Sequence, residues 1–245
     1  MLQTPTGTSQ TPVAGLQSTA PLKAGDLISK MFERYTNALT ISGTIHMVQE
    51  ALGKTVTADS ELDYERPNKI YLRQEERGNE VRNFLLTSDG KTFSYDKPKF
   101  LHGPARCVEY TKTRTKVLDL GEMYTAAGDS VIDANQLLNV AIGRRVDLVN
   151  FTERLSSFRI AGSTKVGKET IYQVVGKYAF DPKLPAAADY VMEISEDGDF
   201  KRFVVKQLCA VPGHPDMAPI MVTMSWVGNL SLDTPPNPAL FKTIN

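Results

Sequence analysis

The chain has 245 residues, and its 28 basic side chains balance 28 acidic ones. That balance excludes the basic field by which nucleic-acid binders and proteins of anionic membrane surfaces are held. With 41% hydrophobic residues there is apolar mass for one large core, yet the longest apolar runs, such as 220–227, fall short of the ~20 residues that cross a bilayer as a helix.

Residues 1–21 are rich in Thr, Gln, Pro, Gly and Ser and nearly free of charge. Such a segment cannot bury enough to offset its ordering entropy, so it reads as a flexible leader. It has no apolar stretch of the signal-peptide kind, and a leader of this composition is expected to follow a signal peptide already removed. Residues 22–245 read as a single domain. Within it, Leu27, Ile28, Met31, Phe32, Tyr35 and Leu39 recur at three- and four-residue spacing and predict a helix ending near Thr40. Asp26 falls in its first turns, where the helix dipole favours a carboxylate.

The period then changes to two. In 55–64, Val56, Ala58, Ser60, Leu62 and Tyr64 alternate with fully polar neighbours, as in a strand wetted on one face. Residues 41–52 pair with it through Leu52-Gly53-Lys54, and further strands are expected at 69–76, 80–88, 91–96 and 106–113. Asp89-Gly90 is a strong hairpin signal between two of them. Residues 116–145 lose the alternation and regain helical spacing, with Gly128 as a stop and Asp133 as a fresh N-cap, so two short helices are expected there. Strands resume at 169–180, 189–196, 200–210 and 219–228, with Asp197-Gly198-Asp199 as a tight turn, before a Pro-rich tail anchored by Leu240-Phe241. The fold class is therefore α+β: a large curved antiparallel sheet of about ten strands, an open half-barrel. An N-terminal helix and two short middle helices are expected to cover its concave side.

A search for chemistry yields no catalytic residue. Gly53-Lys54-Thr55 and Gly90-Lys91-Thr92 resemble the end of a P-loop, but Val48 and Leu85 stand where its first glycine must be. No G-x-S-x-G occurs, and Ser130 with His214 would be a serine–base pair out of its usual context. His46, His102 and His214 share no metal-ligand spacing, so no metal or other cofactor is expected. The acidic row Asp59, Glu61, Asp63 and Glu65 reads as a solvated face paired with Lys69 and Arg73. Cys107 and Cys209 lie far apart, and a disulfide between them cannot be deduced from sequence.

What remains is an apolar surplus. Ile45, Met47, Leu62, Leu72, Leu85, Met192, Val204, Met224 and Trp226 are expected on one face of the sheet, with Tyr124, Leu137 and Leu138 offered against them by the helices. The same residues serve either a packed core or the wall of a greasy hollow, which an incompletely closed sheet leaves behind.

Several segments resemble the LolA-like group of bacterial envelope proteins, which includes periplasmic lipoprotein carriers and related predicted periplasmic proteins of unknown function. They are the helix ending Met31-Phe32-Glu33-Arg34-Tyr35, the strand start Tyr64-Glu65-Arg66-Pro67-Asn68-Lys69-Ile70-Tyr71-Leu72, the hairpin Ser88-Asp89-Gly90-Lys91-Thr92-Phe93 and the closing stretch 229–241. The resemblance implies an open half-barrel with helices as a lid over an apolar hollow. It implies a location in the periplasm or cell envelope, and a lipid or lipoprotein acyl chain as the ligand. It further implies an inner-strand arginine that holds the lid closed, with Arg73 and Arg82 as candidates. The alternative is an envelope interaction or sensor module whose core is filled and whose partner is a protein.

Overall fold

A computed structural model describes residues 22–78, 81–100, 108–116, 120, 123, 135–180, 187–209 and 218–242, with backbone alone over 97–100 and 108–116. The expected leader, Ser130, His214, His102, Cys107 and Asp133 lie outside the described residues. The first helix, α1 (Ala24–Asn37), buries Ala24, Leu27, Ile28, Met31 and Tyr35 along one stripe, as its spacing predicts.

The period-two stretches become β1 (Thr40–Ala51), β2 (Lys54–Glu65), β3 (Lys69–Arg77), β4 (Val81–Asp89), β5 (Thr92–Phe100) and β6 (Val108–Lys116). After β6, Leu120 and Met123 are helical where the first middle helix is expected, the rest of which lies outside the described residues, and two short helices are then described, α2 (Gln136–Ile142) and α3 (Arg145–Glu153). The chain then forms β7 (Leu155–Val166), β8 (Glu169–Tyr178), β9 (Ala188–Ser195), β10 (Phe200–Cys209) and β11 (Ile220–Leu232). All pair antiparallel in one eleven-stranded sheet of order β6-β5-β4-β3-β2-β1-β11-β10-β9-β8-β7. Among the described residues β6 and β7 meet no further strand, so the sheet is an open half-barrel rather than a closed one.

Two meanders, β1–β6 and β7–β11, are thus joined at the β1–β11 seam, where Ile41 faces Leu232 and Glu50 faces Thr223. The backbones approach so closely there that a Cβ on Gly43 would lie 2.1 Å from the Asn229 carbonyl oxygen, and its φ of +139° also demands glycine. Short loops close the hairpins. Leu52 and Gly53 both take positive φ, as does Gly90, beside which the Asp89 carboxylate accepts from the backbone N–H of Lys91 and Thr92 at 2.8 Å each. Those bonds hold the Asp89 carboxyl below its usual range.

Three features differ from the sequence reading. The N-cap of α2 is Asn135, whose side-chain oxygen accepts from the Leu138 N–H at 3.0 Å. Helix α3 buries only Leu148 and Phe151, too sparse a stripe to show in sequence. Strand β7 was not expected at all: bulges at Ser156/Arg159 and Ile160/Gly162 break its alternation, and nearly all its side chains are exposed.

Candidate ligand-binding face beneath the helices

The helices cover one face of the sheet, and side chains of alternate residues meet them there. Across the strands the register brings Met47 beside Trp226, Trp226 beside Phe203 and Phe203 beside Met192, a single apolar row over β1, β11, β10 and β9. A parallel row runs from Leu72 through Leu62 to Gly43 and Leu230. Ile45, Met47, Leu62, Leu72, Met192 and Trp226 are all buried in the core, and Met224 packs against it half-buried. Leu137 and Leu138 of α2 are buried with them, and the Leu137 methyls lie 3.0 and 3.1 Å from where a Cβ on Gly228 would be. The absence of a side chain at residue 228 is what lets α2 press onto β11. Phe203 stacks on Trp226 at 5.6 Å and meets Phe151 of α3 edge-on at 5.4 Å, so aromatic contacts link the sheet to the second middle helix.

Two expected members of this face belong to the other one. Leu85 pairs with Arg73 and Asp96 and stands among charged outer neighbours, because Phe84 and Leu86 take the inner places. Three consecutive apolar residues carry no alternation from which to choose. Val204 pairs with Val191 and Ser225 on the outer face, while Phe203 and Val205 point inward. The cause is a register shift between Phe200 and Arg202, which inverts the side-chain parity of the strand beyond it. Tyr124 lies outside the described residues.

The arginine that reaches the ends of α1 and α2 is a third one, Arg66. Arg73 is on the outer face, opposite Glu61, with its guanidinium 3.9 Å from Glu75. Arg82 stands at the start of β4 and donates to Glu76 at 3.0 Å. Arg66, at the β2–β3 turn, does the tying instead. Its Nε donates to the Ala38 carbonyl at 2.7 Å, and its Nη2 donates to the carbonyls of Tyr35 at 2.7 Å and Ile142 at 3.0 Å. One cation thereby satisfies carbonyls at the C-terminal ends of α1 and α2, where the helix dipoles place negative charge. Gly143 follows α2 at φ +67°, and a Cβ there would lie 2.9 Å from Arg66 Nη2. Arg66 belongs to the Tyr64-Glu65-Arg66-Pro67 motif, so the signal stood in the sequence but read as a strand boundary.

Helix α1 has a second, independent attachment. Arg34 pairs with Asp199 at 2.6 Å, Lys30 donates to the Glu196 carbonyl, and the Tyr35 hydroxyl accepts from the Phe200 N–H at 3.2 Å. Burial pushes the Tyr35 phenol up to about 12. The β9–β10 hairpin thus clamps α1, whereas α2 is tied at one end by Arg66 and at the other through Asn135.

Polar groups also occur on the inner face. Ser60 and Gln74 are cross-strand neighbours there, both buried, and Asn135 Nδ2 reaches Ser60 Oγ at 3.4 Å. Among the described residues neither amide atom of Gln74 has a hydrogen-bond partner, and the same is true of the Tyr190 hydroxyl and the Trp226 indole N–H.

The two clefts described open mainly on the outer face, where charged side chains stand over apolar walls that include Ile45 in one and Val81, Phe84 and Leu85 in the other. One is lined by Thr44, His46, Asp59, Glu61, Arg73 and Glu75; the other includes Arg73, Glu75, Asn83 and Asp96. Lys69 meets Glu65 at 2.6 Å as expected, whereas Asp59 takes His46 Nδ1 at 2.6 Å and Arg73 turns to Glu75 rather than to the acidic row. Among the described residues no cluster of His, Cys, Asp and Glu could hold a metal ion. Cys209 is half-buried with a free thiol. No helix of the described residues is long and apolar enough to cross a membrane.

No family model matches the chain, and no curated protein does. Among solved structures it is similar to the lipoprotein LppX of Mycobacterium tuberculosis, at 11% identity and a TM-score of 0.41 over 87% of this chain and 98% of that one. It is similar to LprF from Mycobacterium bovis at 14% identity and a TM-score of 0.41, over 87% and 95% of the two chains. A LolA superfamily protein from Nitrosomonas europaea matches at 11% identity and a TM-score of 0.29, over 91% and 98%.

Proposed function

We propose that the protein binds an apolar chain, a lipid or a lipoprotein acyl chain, between the inner face of the sheet and the middle helices, without catalysis. The observation that carries this reading is the attachment of α2. A largely apolar face lies beneath a two-turn helix whose tie at the C-terminal end is a set of Arg66 hydrogen bonds, while α1 is clamped separately. The inner side chains are already buried, so a ligand enters by lifting α2 and α3, with Leu137 and Leu138 giving up their places to it. Met47, Met192 and Met224 line the path, and methionine accommodates varied apolar shapes. The sequence resemblance supports the periplasm or cell envelope as the setting.

Native mass spectrometry of the protein purified from its own host, followed by organic extraction, tests this. A near-stoichiometric lipid is expected, lost in the double variant Leu72→Gln, Met224→Gln. An apo mass together with no displacement of a fluorescent fatty-acid probe would overturn it.

One observation favours the alternative, an interaction or sensor module with a filled core. Leu62, Leu72, Leu137, Leu138 and Met192 are completely buried as the structure stands, while edge strand β7 presents an exposed Phe158. An apo mass combined with saturable capture of an envelope protein, abolished by Phe158→Asp, would favour that reading.

A further inference from the structure

Gln74 is 1% exposed on the inner face, in line with buried Ile70 and Leu72 of its own strand and between Ser60 on β2 and Phe84 on β4. Among the described residues its amide nitrogen and oxygen both lack hydrogen-bond partners. Burying a primary amide without partners is costly, and a leucine or methionine of similar volume would fill the same space without that penalty. Beside it stand two more buried polar groups, Ser60 and Asn135. Asn135 uses its oxygen to cap α2 and turns its nitrogen toward the Ser60 hydroxyl, so these two are occupied and Gln74 alone of the three has its whole hydrogen-bonding capacity to offer.

We propose that Gln74, flanked by Ser60 and Asn135, is the polar seat for the carbonyl linkage of a bound acyl chain, an amide or an ester. The inference rests on the apolar-chain reading above and deepens it by naming the group that the chain carries. Nε2 donates to the linkage carbonyl, and Oε1 accepts the N–H where that linkage is an amide. The residues paired with Gln74, Ser60 and Phe84, are neutral, and the cation further along the same face, Arg82, already pairs with Glu76 at 3.0 Å, so a carboxylate or phosphate buried at this point would have to compete for its counter-charge, whereas a neutral carbonyl needs none. The seat lies at the foot of α2, whose N-cap is Asn135, so the linkage would settle where the lifted helix begins and the hydrocarbon would run along the Leu62–Leu72 row.

The test is a titration of the whole chain with three probes of equal length: N-methylpalmitamide, methyl palmitate and hexadecyl methyl ether. Fluorescence of the single tryptophan, Trp226, buried on the same face, is the signal. The wild type is expected to bind the amide or the ester about tenfold more tightly than the ether, the worth of one buried hydrogen bond. An amide preferred over the ester identifies use of Oε1; equal affinities identify Nε2 alone. Gln74→Met is expected to lose the preference and bind the three probes alike. Gln74→Leu, confirmed as folded by its thermal transition, repeats the comparison should the methionine variant not fold. A preference that persists in both variants, or is absent from the wild type, would remove Gln74 from the seat and leave the apolar hollow standing. Failure of all three probes to bind the wild type would overturn the hollow, and this inference with it.

Discussion

Arg66 connects elements that its neighbours in sequence do not touch. Its three carbonyl partners are 28, 31 and 76 residues away, and its guanidinium also lies 5.3 Å over the Tyr64 ring. Truncation leaves three helix-end carbonyls without a donor in a half-buried site. Arg66→Met is therefore expected to cost about 2–4 kcal/mol, read as a lower urea midpoint at unchanged slope. Arg66→Lys should recover a minor part, because a single ammonium cannot reproduce the planar fork that serves Ala38, Tyr35 and Ile142 together. Full recovery by lysine would show that charge near the helix ends, rather than the fork, is what matters.

Among the elements, α1 and α2 differ in how they are held, and that difference decides which can move. Ion pairs and the Tyr35 hydrogen bond fix α1 to the β9–β10 hairpin, where the Gly198 turn at φ +90° leaves room for the Lys30 carbonyl. Helix α2 rests on the flat backbone at Gly228, against which Leu137 packs. Gly228→Val inserts side-chain atoms into that contact and should lift α2 from β11, at about 1–3 kcal/mol for overpacking. Binding of a hydrophobic dye should rise severalfold while far-ultraviolet circular dichroism stays that of the wild type. No rise in dye binding would show that α2 shifts without uncovering the inner face, and would weaken the entry route.

For the whole molecule, the buried phenols make folding sensitive to alkali. Burial raises the pKa of Tyr35 to about 12, and it raises those of Tyr64, Tyr178 and Tyr190 as well. A group whose folded pKa exceeds its unfolded value of about 10 contributes stability that is complete below that pH and is lost as pH climbs through the folded value. The protein is therefore expected to keep its stability to about pH 10 and to unfold cooperatively towards pH 12, with tyrosinate absorbance appearing in the same transition. Tyrosinate absorbance that rises well before the fold is lost would mean that these phenols are reached by water in the native state.

Much of this architecture was legible without the structure. The 3.6-residue stripe of α1, the alternation in β2 and the Asp89-Gly90 and Asp197-Gly198 turns are local signals, each written within a few residues, and each appears where the sequence put it. The open sheet followed from counting hairpins in order, and β7 escaped that count because its bulges erase the period. Tertiary structure alone decided the rest. The bulge beyond Phe200 moved Val204 to the outer face, the β1–β11 seam joined residues nearly two hundred positions apart, and Arg66 found the ends of α1 and α2 while Arg73 stayed on the outer face. Periodicity and turn chemistry report what neighbouring residues prefer. Parity after a bulge, the partner of a strand and the carbonyl that an arginine reaches are set by which distant backbone arrives beside it.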